Sequence, residues 1–563
     1  MKHLQKIALD HKGLFVIYFL IGLTQTFLQS FGARYFQSII DRFTAGTLTM
    51  ASIAVYGSAM IALYVINYIY NYPARKLEHS VYLDLKTAAL RKVSVIDYLQ
   101  YQKLGTGTLI QRIENGAAAG RGMLYGYWLR LASELLPAMA FSILFILAIS
   151  KAVMLAILVG YVAVFAISRL LLQALYRVKE RILSNEEAFN HVLVRGFMEM
   201  VVFRVYRRFG AELEKARRAK GEIVSAKVRM TLIHEAFFTA FAVLIGLVKI
   251  GILIYGWSTR QLSIGEIVAL IALVDNAYTP IAIFNVLYVE YKLDRTAYAR
   301  YAQFLDAGED PQLAAGEPVQ SLRGEMSFRG VDYSYGEGRL LQGLNLTIAG
   351  GSTAAFVGES GSGKSTAVKL LVGLLKPQAG SVRVDGKDLG TLNLDSYYAH
   401  IAYLPQDPPV FDGTLRENLV FDHAVDDDAL HDALRQVGLE ALCRSLEKGL
   451  DTPLGERGVS LSGGQRQQLA LARLWFTDAS VIILDEATSA IDNLTEQRVM
   501  AAVMRRLRGK TVLAIAHRLD SIRDFEDILV WRDGCVVERG GFMQLLEQRQ
   551  YFHELYHRAV GQA

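Results

Sequence analysis

The sequence predicts an all-α membrane domain of six helices followed by an α/β domain. Three observations carry that prediction. Six apolar stretches approach twenty residues, composition and charge change after about Asp306, and a glycine-rich loop joins a strand-like run to a helix in the second half. The chain has 563 residues, enough for several domains. Its mean hydropathy is +0.24, with 52% hydrophobic and 20% charged residues. That is too apolar for an ordinary soluble enzyme and too charged for membrane helices alone. Disordered chains are poor in apolar residues, which excludes disorder. Two cysteines, Cys443 and Cys535, exclude a disulfide scaffold and read as reduced thiols.

Charge divides the halves. The first 310 residues carry 34 Lys and Arg against 22 Asp and Glu, and the remainder carries 26 against 33. The apolar stretches lie in the basic half. That pattern suggests a membrane domain with cationic cytoplasmic loops, in contact with the lipid bilayer and not with nucleic acid.

The six expected crossings are 14–31, 51–72, 131–150, 152–172, 236–257 and 264–287. The first contains Gln25 and Gln29 and lacks a small-residue cleavage site, so it reads as a membrane helix and not as a cleaved leader. Connections after crossings 1, 3 and 5 are short. Those after 2 and 4 run about 60 residues and are rich in Lys and Arg, including Arg75, Lys76, Arg91, Lys92, Arg177, Lys179, Arg207, Arg208, Arg217 and Arg218. The charge bias puts both loops and both termini in the cytoplasm. Helical periodicity predicts that the membrane helices continue, turn and return. The turns are expected over 98–109, with Gly105 and Gly107, and over 203–212, with Gly210. Each presents a short helix below the membrane.

Polar groups inside crossings are costly, which makes them functional candidates. At about 1.5 Å per residue, Lys249 and Asp275 fall at roughly 12 and 16 Å from the outer surface, close enough to pair. Gln25, Gln29, Asn67, Asn71, Asn276 and Asn285 are weaker candidates for a polar cavity.

The expected organisation is a transmembrane domain over 1–306, a linker over 307–322 and an α/β domain over 323–563. Gly308, Pro311, Gly316 and Pro318 punctuate the linker. The sharpest motif is Gly358-Glu359-Ser360-Gly361-Ser362-Gly363-Lys364-Ser365-Thr366, which follows the strand-like 354–357. Its glycines let backbone N–H groups wrap a β-phosphate at a helix N-terminus. Lys364 is expected to reach the β/γ oxygens and the Ser365 hydroxyl to ligate Mg2+. The aliphatic run 481–484 suits a buried parallel strand and ends in Asp485 and Glu486. Asp485 is placed to hold Mg2+ through water and Glu486 to polarise the attacking water. Leu461-Ser462-Gly463-Gly464-Gln465 precedes a helix and forms a second anion site.

Ser462–Gln465 together with the phosphate loop and the Asp485-Glu486 pair resembles the signature of ATP-binding cassette (ABC) proteins. The resemblance covers nearly the whole chain and points to an exporter-type half-transporter. It implies that Tyr335 stacks on adenine and that Gln406 is the lid glutamine that senses Mg2+. It likens Ser489-Ala490-Ile491-Asp492 to the dimer-contact loop, with Ile491 where Leu is usual. It makes His517 the switch histidine for the γ-phosphate. Gly455-Glu456-Arg457-Gly458 resembles the exporter segment that meets the intracellular loops. In the family two cassettes close head to tail around ATP and Mg2+. Lys364, Asp485 and Glu486 of one subunit then face Ser462 and Gly464 of the other.

The resemblance therefore implies a homodimer, or a heterodimer with a related half-transporter. The expected function is ATP-driven efflux of a hydrophobic or amphipathic small molecule, lipid or peptide whose identity the sequence does not give. The expected place is a multi-pass position in the cell (inner) membrane. Two alternatives keep the same fold: an importer of metal–siderophore complexes, and an ATP-gated channel or sensor that transports nothing. A soluble ATPase conflicts with six crossings.

Overall fold

The computed structural model describes residues 1–336, 338–421, 423–455 and 461–561. The chain divides into two compact units, Met1–Ser94 with Leu104–Ala307, and Val95–Lys103 with Gly308–Ala563.

The first unit is helical. Its helices are α1 (Lys2–Asp10), α2 (Lys12–Thr44), α3 (Met50–Val95), then, past the short α4 (Tyr98–Leu104), α5 (Thr106–Arg121), α6 (Leu136–Ile149), α7 (Lys151–Met198), α8 (Met200–Val205), α9 (Phe209–Thr259) and α10 (Ile264–Leu305). Among the described residues five stretches are long and apolar enough to cross a bilayer: Lys12–Thr44, Met50–Val95, Gly107–Ile149, Phe209–Thr259 and Ile264–Leu305. The expected crossing 152–172 falls on the 48-residue α7, which opens with the shorter apolar stretch Lys151–Val164. Exposed Ile61, Val159, Val162, Leu247, Ile250 and Ile254 give these helices an apolar outer surface suited to lipid.

Local chemistry sets the helix ends. Ser263 caps α10 in a reciprocal box with Glu266, satisfying donors that the first turn leaves free. Ser150 accepts from Val153 N at the start of α7. Between α5 and α6 the chain runs through two π-helical segments, Gly122–Leu129 and Leu131–Leu135. Such segments are rare and often mark functional positions. Glycines let α10 press onto α5. A Cβ on Gly116 would lie 2.2 Å from Tyr301 Cβ, and one on Gly120 would lie 3.2 Å from the Tyr298 ring.

Both turns differ from expectation in detail. The first breaks before α4, at Ile96 and Asp97, and turns again at Gly105 with φ +67°, while Gly107 is inside α5. The second is made by Tyr206, Arg207 and Arg208, with Arg207 at φ +55°, and Gly210 lies inside α9. A non-glycine residue takes the left-handed position there, so the glycine signal pointed three residues too far along.

The second unit carries two sheets. Its strands are β1 (Met326–Ser334), β2 (Arg339–Ile348), β3 (Thr353–Gly358), β4 (Ala379–Val384), β5 (Lys387–Asp388), β6 (Ile401–Leu404), β7 (Val481–Asp485), β8 (Thr511–Ile515), β9 (Asp527–Arg532) and β10 (Cys535–Gly540). The antiparallel sheet runs β2-β1-β4-β5, and the larger sheet runs β10-β9-β3-β8-β7-β6. In the larger sheet all pairs are parallel except β9–β10. Every residue of β7 and β8 is buried, as a central parallel strand covered on both faces requires. The carboxyl ends of such strands are where an open α/β sheet holds ligands.

One piece of this unit comes from far upstream. The 95–103 segment joins the second unit through an Ile96–Glu309 bridge, Asp97 N to Gly308 O at 3.1 Å and Asp310 N to Val95 O at 2.8 Å. Tyr98 and Leu99 of α4 pack against the core around Phe328, Leu371 and Tyr397. The residues expected as a linker are also anchored here, with Glu317 N donating to Thr391 O and Asn393 N to Glu317 O, both at 2.9 Å.

Candidate functional site

The phosphate-loop motif joins β3 to the helix Lys364–Leu371. Two of its glycines are required sterically. Gly358 sits at φ +146°, and a Cβ there would lie 2.2 Å from Trp531 O on the neighbouring β9. Gly363 caps the helix at φ +103°, where a Cβ would meet Leu341 at 2.7 Å. Gly361, at φ +84°, has open space around it. Ser360 and Ser365 are exposed, whereas Ser362 and Thr366 are buried. Lys364 is buried, and its Nζ donates to Gly358 O and Glu359 O at 2.8 Å and to Ser362 Oγ at 3.2 Å. Burial pushes its ammonium down, while the nearby Glu486 and Asp485 carboxylates oppose that shift. An ammonium held on carbonyls inside a ring of glycines fits a phosphate group.

Asp485 ends β7 and is 6% exposed. Tyr403 donates its hydroxyl to Asp485 Oδ2 at 3.2 Å, and burial pushes the Asp485 carboxyl above its ordinary range. A desolvated carboxylate with one neutral donor fits a cation, and the exposed Ser365 hydroxyl can serve as a second ligand. No group of three His, Cys, Asp or Glu among the described residues could hold a metal unaided. An ion held by Asp485 and Ser365 would take its other ligands from water and phosphate, and that oxygen-only set fits Mg2+.

Glu486, next along, adopts φ +51°, an unusual conformation for a residue with a side chain. Its two oxygens are held separately. Gln406 Nε2 donates to Oε2 at 2.7 Å, and His517 Nε2 meets Oε1 at 2.7 Å. The structure thus gathers Lys364, Asp485, Glu486, Gln406 and His517 around the ends of β3, β6, β7 and β8. Gln406 spends its amide on Glu486. Tyr335 is 54% exposed and stands edge-on to Tyr333, with ring centroids 5.1 Å apart.

Ser462, Gly463, Gly464 and Gln465 form the start of the helix Gly463–Ala472. Ser462 and Gln465 make a capping box: Gln465 N donates to Ser462 Oγ at 3.2 Å, and Ser462 N to Gln465 Oε1 at 2.8 Å. The Ser462 hydroxyl keeps its hydrogen for an outside acceptor. Among the described residues no hydrogen bond joins 462–465 to the loop 358–366. A Cβ on Gly464 would instead lie 2.9 Å from Ala490 O in the 489–492 loop. Glu456, Arg457 and Gly458, expected to contact intracellular loops, lie outside the described residues.

Two connecting residues escaped the sequence reading. Gln467, 4% exposed, donates to Ser489 Oγ at 3.0 Å and accepts Ala490 N at 2.8 Å. Its Nε2 also lies 3.4 Å from Gln406 O and 3.5 Å from Glu486 O. Arg518, beside His517, donates to Glu496 at 2.8 Å and to Ile491 O at 2.5 Å. The available signal for Gln467 was a glutamine turned toward the apolar face of its helix.

Residues 341–489 match the ABC transporter family. Across 99% of this chain and 98% of the other, the fold matches a bacterial Atm1-family ABC exporter solved with ATP bound, with a TM-score of 0.82 at 22% identity. The chain therefore has the fold of an exporter-type ABC half-transporter. It is 35% identical over 305 residues to YwjA, an uncharacterised ABC transporter ATP-binding protein of Bacillus subtilis, covering 54% of this chain and 53% of that protein. It is 36% identical over 325 residues to the ATP-dependent lipid A-core flippase of Neisseria meningitidis, covering 57% and 52%. The chain spans about half the length of these curated relatives.

In the helical first unit most of the polar candidates pair off. Lys249 Nζ lies 2.8 Å from Asp275 Oδ2. Gln25 donates to Asn67 at 3.0 Å, and Gln29 to Asn276 at 3.1 Å. Asn71 donates back to Asn67 O at 2.9 Å within α3. The sequence reading passed over Glu134, on the second π segment. Its Oε1 accepts the hydroxyls of Tyr18 at 2.8 Å and Tyr70 at 2.6 Å. Its signal was plain: a lone carboxylate in an apolar run.

Proposed function

We propose that two such chains, or one with a related half-transporter, form an ATP-driven exporter of a hydrophobic or amphipathic molecule. Glu486 carries the reading. Its carboxylate is held by Gln406 on one side and His517 on the other, beside buried Asp485 and Lys364. A carboxylate fixed at both oxygens is oriented to take a proton from water at the γ-phosphate. Lys364 and the loop N–H groups hold the phosphates. Bound Mg2+, taken by Ser365 and Asp485, would neutralise phosphate charge. Tyr335 offers its free face to adenine.

The signature supports a paired arrangement. Ser462 bonds to Gln465 of its own helix and Gly464 lies against Ala490 O, which leaves the helix N-terminus without a phosphate of its own. A second chain's loop 358–366 supplies that anion. The short helices support coupling. α4 is packed into the cassette unit, whereas Met200, Val201, Val202 and Val205 of α8 are all exposed. An apolar helix of this kind suits a groove on the other chain's cassette. ATP drives the cycle because it binds the closed pair better than the open one.

The charge bias supports an inner-membrane position with both termini cytoplasmic. The lipid A-core flippase among the relatives supports an amphipathic cargo. ATP hydrolysis in liposomes tests the reading. Stimulation by a cargo is expected, and cargo should accumulate in inside-out but not right-side-out vesicles. Accumulation only in right-side-out vesicles would make it an importer. Hydrolysis that no cargo alters and no accumulation follows would make it a sensor.

A further inference from the structure

Glu486 N donates to Ile515 O of β8 at 3.2 Å, and beyond it the chain leaves the sheet for the loop 487–492 and the helix Asn493–Arg506. Glu486 sits at φ +51°, a conformation that a residue with a side chain keeps only where its surroundings hold it. The direction of its carboxylate therefore depends on what holds that loop. His517 has an anchor of its own, because Ala516 N before it donates to Phe356 O of β3 at 3.2 Å.

Glu496, in the first turn of that helix, is 4% exposed, and each of its oxygens is taken. Oε1 accepts the Thr488 hydroxyl at 2.6 Å, and Oε2 accepts Arg518 Nη1 at 2.8 Å. Thr488 lies two residues past Glu486, and Arg518 directly follows His517. The same guanidinium reaches back to the loop, with Nη1 donating to Ile491 O at 2.5 Å and Nη2 to Ser489 O at 3.4 Å. One buried carboxylate thus joins the chain after Glu486 to the chain after His517. A helix N-terminus favours a negative charge, but an exposed acid would serve that purpose, so the burial has another reason.

Close packing alone does not fix the loop. A cavity of about 150 Å3 lies beside it, lined by Glu486, Thr488, Glu496, His517, Met500 and Phe525, among others. Atoms that face a cavity have fewer neighbours to confine them, so directed bonds set the position of the loop there.

We propose that Glu496 is a positioning residue for ATP hydrolysis. Through Thr488 and Arg518 it fixes where the Glu486 carboxylate stands relative to His517, whose Nε2 meets Glu486 Oε1 at 2.7 Å. It acts through Glu486 and not on the nucleotide, so the proposal rests on the reading of Glu486 as general base. A misplacement of about 1 Å at a reacting group can cost about 10²-fold in rate, which makes the clamp worth a buried charge.

Steady-state and single-turnover ATP hydrolysis by the purified full-length protein in lipid nanodiscs test it. Glu496→Ala should lower kcat at least about tenfold, with the KM for ATP within about twofold of the unaltered protein. Glu496→Gln can keep both bonds, its oxygen toward Arg518 and its amide toward Thr488 Oγ1, and should hold kcat within about threefold. In a Glu486→Gln background, Glu496→Ala should cost less than about threefold more, because the base that it positions is gone. A merely structural role would lower turnover by the same factor in both backgrounds. If Glu496→Ala does not fold, Thr488→Ala takes its place, since water in the adjoining cavity can replace the lost hydroxyl. Its kcat should fall about threefold or more, again only where Glu486 is present. Unaltered kcat in Glu496→Ala, a Glu496→Gln no better than it, or equal losses in both backgrounds overturns the proposal. Near-normal turnover in Glu486→Gln alone is a separate result, which overturns the base assignment and the proposal with it.

Discussion

Gln467 Oε1 accepts the backbone N–H of Ala490 at 2.8 Å. That bond ties the signature helix to the loop after Glu486, and the Gln467 amide also donates to Ser489 Oγ at 3.0 Å. Gln467→Ala leaves the Ala490 N–H unpaired, at a cost of about 1–3 kcal/mol in positioning that loop. Turnover should fall about tenfold with little change in the KM for ATP. Gln467→Glu should be worse, because its carboxylate would face Gln406 O and Glu486 O. Steady-state ATPase kinetics check both, and wild-type turnover in Gln467→Ala would remove the residue from the mechanism.

Glu486→Gln keeps the shape of the side chain and removes its basicity. Hydrolysis should slow at least ~10²-fold, the usual scale for losing a general base. Binding of a fluorescent ATP analogue should remain. Near-normal turnover would reject Glu486 as the base.

Asp485 gives a pH effect of definite sign. Burial raises its carboxyl pKa in the folded state. As pH climbs through the ordinary aspartate range, near 4, the unfolded chain loses its proton first, so folding loses stability. The full cost is present above the raised folded value. Asp485→Asn should therefore raise the nucleotide-free unfolding midpoint at pH 7. It should also abolish the further rise that MgATP gives the unaltered protein. Differential scanning fluorimetry with and without MgATP reads both effects.

Lys249 and Asp275 predict a rescue. Each single reversal leaves like charges facing each other inside a membrane helix pair, where an uncompensated charge costs about 2.5–3.5 kcal/mol. Lys249→Asp and Asp275→Lys should each lower the yield of folded protein in membranes, and the double reversal should restore it. A double variant no better than the singles would refute the pairing.

The exposed α8 face predicts uncoupling. Val201→Asp should leave basal ATP hydrolysis within about twofold while abolishing cargo-stimulated hydrolysis and vesicle accumulation, because α8 lies far along the chain from the nucleotide residues. Unchanged accumulation would show that α8 docks nowhere.

Much of this arrangement was legible in the sequence where chemistry is local. The loop 358–366, the strand ending in Asp485 and the Ser462 cap are each set by short-range constraints on backbone and charge. The Lys249–Asp275 pair was legible because charge in an apolar helix is expensive and helical rise fixes depth. What escaped depends on contacts distant in sequence. Gln406, Glu486 and His517 meet only because β6, β7 and β8 lie side by side. The anchoring of 95–103 in the cassette unit needs partners near residue 309. Arg207 was missed because its left-handed turn lacks the expected glycine. Glu134 was not singled out, although its apolar surroundings were visible.

The central claim is that nucleotide turnover needs the signature of one chain against the phosphate loop of another. The most direct measurement is ATP turnover in lipid nanodiscs sorted to hold one copy or two. Turnover confined to two-copy discs is the result expected. One-copy discs that hydrolyse ATP at the full per-chain rate would contradict it.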